Sequence, residues 1–307
     1  MNFDQLMQCA KDINDKALEL AMTELSQKKS EKFPGSNEYN QIRQRYAFIE
    51  PLFEPFSRLP DPTRYDPLIA DLNAAMGNLR TESGQTTELT KDVSLANPHL
   101  DKMTTDGGYL QGWNGEAAMA FKANFIDTFK TISGNQFAAL STLKGVLQAH
   151  QEMWSTARKD ITKIANDTKD ALDNAGGCDK NEWSFAFSVL SAVTAVGGVV
   201  VTVATAGAGL PVTFPAIGAA SSTGSAAIAG ITASGDSADT IINSMRQAVD
   251  DLTKHIQEVE TQHIELKIRG LIDCIHGNKD RLVSTRPNLA GMNDRDLTGD
   301  RGMGKSD

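Results

Sequence analysis

Trp183-Ser184-Phe185-Ala186-Phe187-Ser188-Val189-Leu190 opens a stretch that runs through Val199-Val200-Val201-Thr202-Val203-Ala204 to Gly235 without one Asp, Glu, Lys, Arg or His. Its first half has about the length a helix needs to cross the hydrocarbon core of a bilayer. Gly207-Ala208-Gly209-Leu210-Pro211-Val212-Thr213-Phe214-Pro215 follows. Two prolines and two glycines there argue for a turn rather than continuous helix. From Ile217 to Ala233 the residues are mostly Ala, Gly, Ser and Thr. The pairs Ala204/Ala208, Gly218/Ser222 and Ala226/Gly230 would let two helices meet backbone to backbone. The whole reads as an apolar hairpin over 184–234. Three readings stay open: a constitutive transmembrane hairpin, a hairpin buried in a helical bundle, or a sheltered head that meets a membrane conditionally. Asp179, Lys180 and Glu182 on one flank, and Asp236 and Asp239 on the other, supply no basic cluster for the first reading. For the other two, periodicity does not separate a buried helix from an inserted one. The residues expected at a membrane are Phe185, Phe187, Val189 and Leu190, then Val199, Val200 and Val201, then Leu210, Phe214 and Ile217.

On both sides of this stretch the pattern is helical. Gln136, Leu140, Leu143, Leu147, His150, Trp154, Ala157, Ile161, Ile164, Thr168 and Ala171 alternate steps of four and three, the spacing of coiled-coil-like packing. Ile242, Met245, Val249, Leu252, Ile256, Val259, His263 and Leu266 do the same on the way back. The predicted fold is therefore all-α: an elongated antiparallel helical bundle on helices 115–175 and 236–276, with the apolar hairpin at one end. Residues 1–58 read as an N-terminal helical hairpin, with one helix over 2–30 and another over about 38–56 limited by Pro51 and Pro55. Pro55, Pro60, Pro62 and Pro67 mark a linker. Residues 59–277 form the long-helix part, with a helix starting near Pro67. Residues 278–307 lack an apolar stripe and read as disordered.

The chain has 307 residues and a formal net charge of −9, which makes nucleic acid an unfavourable partner. The start, Met1-Asn2-Phe3-Asp4-Gln5, has neither a basic region nor an apolar core, so no cleaved secretory signal is expected. Cys9, Cys178 and Cys274 are far apart and suggest neither a disulfide framework nor a zinc site.

The helix after Gly107-Gly108 opens with Trp113-Asn114-Gly115, followed by Ala117-Ala118 and Phe121. This resembles the Trp-x-Gly (WXG) family of type VII secretion substrates, over roughly residues 65–160. The resemblance implies two antiparallel helices meeting at the turn and an export signal that includes Trp113 and Gly115. In the family the signal is paired with Tyr-x-x-x-Asp/Glu, and the nearest match is Tyr46-Ala47-Phe48-Ile49-Glu50. That element lies upstream, an order that looks like the larger secreted relatives. Tyr46 also falls on a core stripe, and Trp113 serves equally as a plug for a bundle end. The long helices flanking an uncharged hairpin are similar, in architecture alone, to helical pore-forming toxins of the cytolysin A type.

Nothing in the sequence carries chemistry. There is no His-Glu-x-x-His pair, no Gly-x-Ser-x-Gly elbow and no phosphate loop with a Gly-Lys-Ser/Thr core. Cys274-Ile275-His276 offers two ligands, too few for a closed metal site. Asp160, Asp167, Asp170 and Asp173 with Lys159, Lys163 and Lys169 read as a solvated helix face. No catalytic residue, metal or cofactor is expected. The expected role is an exported helical protein, in the medium or the cell envelope, that works through the secretion machinery, a helical partner, a membrane or a second copy of itself. The alternatives are a pore-forming toxin that inserts 184–234, or a cytoplasmic helical scaffold. One device is conceivable. If residues 172 and 238 stand level, His150 meets about position 260, within a turn of His263. Two sheltered imidazoles there would make the bundle acid-sensitive, whereas each taken alone would sit half in water with no switch.

Overall fold

The computed structural model describes residues 3–29, 35–80, 93, 97–102, 112, 114–175, 182–185, 231–234 and 237–283. Among them the chain is all-α, apart from one two-stranded ribbon. Helices α1 (Phe3–Lys29), α2 (Ser36–Tyr46) and α3 (Ile49–Phe53) come first. 3-10 turns at Glu54–Arg58 and Pro62–Tyr65 lead into α4 (Asp66–Leu79). Then follow α5 (Pro98–Lys102), α6 (Glu116–Phe121), a π-helical turn (Lys122–Ile126) and the long α7 (Phe129–Asn174). Strands β1 (Glu182–Phe185) and β2 (Ile231–Ser234) precede α8 (Ala238–Glu258). A second π segment (Val259–Glu265), α9 (Leu266–Gly277) and α10 (Lys279–Leu282) close the described chain. None of the described helices is long and apolar enough to cross a membrane.

The breaks have local causes. Pro51 has no N–H to give Ala47, so the helix expected over 38–56 turns at Ala47-Phe48 and restarts as α3. The helix expected to run unbroken from 115 to 175 changes winding at the first π turn, where Asp127 N–H reaches back five residues to the Lys122 carbonyl at 2.9 Å. Pro67 sits in the first turn of α4, where its missing N–H costs nothing. Ser237 caps α8, its Oγ accepting from Thr240 N–H at 3.3 Å.

Contacts divide the chain into two units that cut across the sequence division. The first gathers the described residues of 1–64, 150–195 and 221–262. Here α1 packs on α2, α3 and α8. It buries Leu6, Cys9, Ala10, Ile13, Ala17 and Ala21, one stripe at helical spacing. From α7 the buried residues are Met153, Trp154, Ala157, Ile161, Ile164 and Leu172; from α8 they are Ile241, Ile242, Met245, Val249, Leu252, Ile256 and Val259. Each large aliphatic of this set contributes about 1.5–3 kcal/mol by leaving water. The proline-rich stretch read as a linker is docked on α7. Arg158 Nη2 donates to the Leu59 carbonyl at 2.5 Å, and Gln151 Nε2 to that of Pro62 at 3.0 Å.

The return stripe keeps its period only to Val259. The next buried residue is Ile264, five positions on, and Leu266 is 57 % exposed. The second π segment causes this slip, because its wider turn inserts one residue and hands the inward position from His263 to Ile264.

The second unit gathers the described residues of 65–149 and 263–283. Met76, Val93 and Phe137 form one cluster, with Leu79 and Leu140 against it. Ala138, Leu271 and Leu282 form another, with Leu143, Cys274 and Ile275. Residues 278–283, read as the start of a disordered tail, are a docked helix. Asn135 Nδ2 donates to the Arg281 carbonyl at 3.0 Å and Gln136 Nε2 to that of Leu282 at 2.6 Å. One apolar residue with two backbone acceptors was too short a pattern to read. Residues 284–307 lie outside the described ones. Burial on this half of α7 is not confined to a stripe, since Ser133, Asn135, Ser141, Thr142 and Lys144 are buried too.

Gly115 opens α6 with φ +111° and ψ 159°, its carbonyl accepting from Met119 N–H at 2.9 Å. That conformation belongs almost wholly to glycine. An added Cβ would have no atom within 4 Å, so alanine would meet backbone strain and no clash. Gly115→Ala is expected to lose about 1–3 kcal/mol by chemical denaturation. An unchanged midpoint would show that the turn relaxes freely.

Candidate functional site

The ribbon stands at the base of the uncharged segment. It pairs Glu182 with Ser234, Trp183 with Ala233, Ser184 with Thr232 and Phe185 with Ile231, antiparallel. Phe185 and Ile231, which flank the rest of the uncharged segment, are therefore partners across the ribbon. A helix had been expected from Phe185. The alternation Trp183-Ser184-Phe185 opposite Ile231-Thr232 is a strand pattern, and it was the available signal. Of the ten residues expected at a membrane, Phe185 lies in β1. Phe187, Val189, Leu190, Val199, Val200, Val201, Leu210, Phe214 and Ile217 lie outside the described residues.

Two feet lead into the ribbon, the end of α7 and the start of α8, and the N-terminal helices are tied to both. At the α7 foot, Lys169 Nζ donates to Asp12 Oδ2 at 2.7 Å, and Lys16 pairs with Asp173. The Lys169 ammonium, with Gln8, holds the Asp12 carboxyl below its usual range, and Asp12 in turn raises the lysine. At the α8 foot, Ala238 N–H donates to Glu24 Oε1 at 2.9 Å. Tyr46 O–H donates to Asp239 Oδ1 and Arg45 Nη1 to Asp239 Oδ2, both at 2.7 Å. Burial, with Asp239 beside it, pushes the Tyr46 phenol well above its ordinary value. About two helical turns on, the Arg246 guanidinium lies 5.6 Å from the centre of the Phe48 ring, within cation–π range.

Tyr46 is thus 1 % exposed and committed to Asp239, while Glu50 is half-buried on α3. Gly115 has the geometry given above, and Trp113 lies outside the described residues. Part of the supposed solvated face of α7 is bound, through Lys169 and Asp173, and Asp160 is buried. Lys163 and Asp167 do form a pair one turn apart. Among the described residues no three His, Cys, Asp or Glu side chains converge as metal ligands would, and neither Cys9 nor Cys274 is in a disulfide.

His150 sits 3.8 Å, Nε2 to Oε1, from Glu260, with its ring 5.6 Å from that of Trp154. Trp154 Nε1 is buried without a hydrogen-bond partner among the described residues. The residue facing His150 here is a carboxylate. His263 belongs to the second unit and is half-buried within the π segment. Burial lowers the His150 pKa, and Glu260 opposes that in part. With the folded value below the unfolded one, about 6.5, stability is complete above that pH. It declines as pH falls through 6.5 towards the folded value. His150→Gln should flatten this decline in urea midpoints compared at about pH 7.5 and about pH 5.5. A slope that survives the substitution would remove His150 as its source.

No family model matches the chain, and no curated protein or solved structure matches it.

Proposed function

We propose that the chain is an exported helical protein of the Trp-x-Gly kind whose working part is the uncharged segment 186–230, acting on a membrane. The supporting observation is the ribbon. It pairs the two flanks of a segment free of Asp, Glu, Lys, Arg and His. In this reading α7 and α8 run antiparallel. The ribbon at one end and the His150–Glu260 contact further along support that direction. An uncharged segment of this length has two physical outlets, burial or a lipid phase, and bilayer insertion places no ionisable group in hydrocarbon.

The test uses liposomes of neutral and of anionic composition, the full chain, and the pair Val200→Asp with Val201→Asp. Each introduced carboxylate costs about 2.5–3.5 kcal/mol at mid-bilayer, so the double variant should not sediment with vesicles that carry the parent chain. Dye release by the parent would make the activity pore formation, as in the cytolysin A-type alternative. Equal sedimentation of both proteins, or none by the parent, would sink the membrane reading and leave a helical scaffold. Export is tested apart. The chain should appear in culture filtrate, and Trp113→Ala, folded by circular dichroism, should stay in the cells.

A further inference from the structure

We propose that Asn114 is a modification site. Its side-chain amide is attacked by the backbone nitrogen of Gly115 and converted, through a cyclic imide, to aspartate or isoaspartate. Asn114-Gly115 is the one Asn-Gly pair in the 307 residues. Asparagine is thermolabile, and three conditions decide which asparagine reacts. The nitrogen that follows it must be clear of hydrogen bonds, the following residue must leave room, and the amide must be able to turn. Gly115 N–H makes no hydrogen bond to a described residue. Gly115 lacks a Cβ, and the place of one has no atom within 4 Å. Both residues are exposed. The Asn114 amide has one long contact, Nδ2 to the Gly112 carbonyl at 3.4 Å, beyond the usual range of about 2.7–3.2 Å. Asparagines elsewhere fail these conditions. Asn243 lies inside α8, where the N–H of the next residue belongs to the helical ladder. Asn174 Nδ2 donates to the Asp170 carbonyl at 2.8 Å, and Asn135 Nδ2 to that of Arg281 at 3.0 Å.

The reaction consumes water and releases ammonia. Gly115 N gives its proton to solvent and bonds to Cγ of Asn114, the Cγ–Nδ2 bond breaks, and ammonia leaves. Water then opens the five-membered imide. Opening at Cγ gives aspartate with the main chain intact. Opening at the Asn114 backbone carbonyl gives isoaspartate, with the main chain routed through Cβ and Cγ. Forming the imide breaks no backbone hydrogen bond of the turn, because the Gly115 carbonyl keeps the Met119 N–H. The two products differ in what they do to α6. Both add a negative charge just before it, and charge of that sign suits a helix start. Isoaspartate also lengthens the main chain by a methylene. That added length falls four residues before Ala118, which is 2 % exposed, so the turn cannot keep its shape with Ala118 in place. On the reading of Trp113-Asn114-Gly115 as an export element, on which this consequence rests, isoaspartate copies are no longer exported.

Peptide mapping of the folded full chain, aged in water enriched in heavy oxygen at neutral and at mildly alkaline pH, tests the site. The fragment between Lys102 and Lys122 should accumulate the acid, carrying heavy oxygen. Conversion at Asn114 should run at least about tenfold faster than at Asn243, whose helix must first open. It should quicken as pH rises, since the attacking nitrogen sheds its proton. Asn114→Gln, which would have to close a larger ring, should stay an amide. Conversion at Asn114 no faster than at Asn243 would overturn the site. In cells, isoaspartate at position 114 should be depleted in the culture filtrate relative to the retained pool. Equal fractions in the two pools would overturn the consequence for export. Export of Trp113→Ala at the parent level would instead remove the export reading itself, and the site would stand on the mapping alone.

Discussion

Tyr46→Ala is expected to cost about 3–5 kcal/mol, in the range of large aromatic truncations in a packed core. The ring is 1 % exposed, wedged where α2 ends and α8 begins, among neighbours as buried as Ile49 and Phe53. Truncation removes the ring's transfer energy and leaves a cavity that three helices would have to close together. Tyr46→Phe separates the two contributions. It keeps the ring and removes the O–H that Asp239 accepts, and a hydrogen bond to a charged acceptor is worth about 1.5–3 kcal/mol. Asp239 retains Arg45 in that variant, so the loss should lie at the lower end. Urea unfolding of the three proteins, followed by far-ultraviolet circular dichroism, gives the order parent, Phe, Ala. If Phe and Ala are equally destabilised, the hydroxyl carries the site and the ring does not. If neither is destabilised, the contact between α2 and α8 is absent in solution.

The long helices were legible because each repeats one decision many times. Ile242, Met245, Val249, Leu252, Ile256 and Val259 are all buried, as their three-and-four spacing predicts. Helix α1 was equally plain, as were the break at Pro51 and the start at Pro67. Two kinds of feature were not legible. The first is a change of phase. Past Val259 the sequence continues a perfect pattern through His263 and Leu266, yet the backbone inserts a π turn and turns Leu266 outward. A stripe read on the assumption of constant winding has no means of showing where the winding changes. The second is the long-range polar tie. Asp239 and Tyr46 are 193 residues apart and Asp12 and Lys169 are 157 apart. Nothing local distinguishes those side chains from other charged residues on a wet helix face. The ribbon lies between these cases. Its strands alternate, but at four residues each the pattern is short enough to be absorbed into the apolar run beside it.

The phase change makes a sharp demand on single-residue deletions. Removing Thr261, an exposed residue within the π segment, should convert that wide turn to ordinary α-helix. It leaves Val259 and the residues from Ile264 onward in their present orientations, because a π turn is an α-helix carrying one extra residue. The expected change in stability is small, about 1 kcal/mol or less, within the spread of surface changes. Removing Gln247, exposed on α8, offers no such relief. The helix beyond it would rotate by about 100° per residue removed. Leu252 and Ile256, now 0 % and 8 % exposed, would move to the half-buried places of Asp251 and His255. Val249 would be forced into the place of Ala248, which is 0 % exposed, and Asp250 would take the buried place of Val249. Partial exposure of two large aliphatics, each worth about 1.5–3 kcal/mol when fully buried, an overpacked valine at about 1–3 kcal/mol and a carboxylate brought to an apolar place together take a large share of a typical domain's margin, about 5–15 kcal/mol. The Gln247 deletion should therefore lower the urea midpoint far more than the Thr261 deletion, both read by urea titration of helical signal. Equal damage from the two deletions would mean that the segment is wound as plain α-helix in solution. The outward turn of Leu266 would then need another cause.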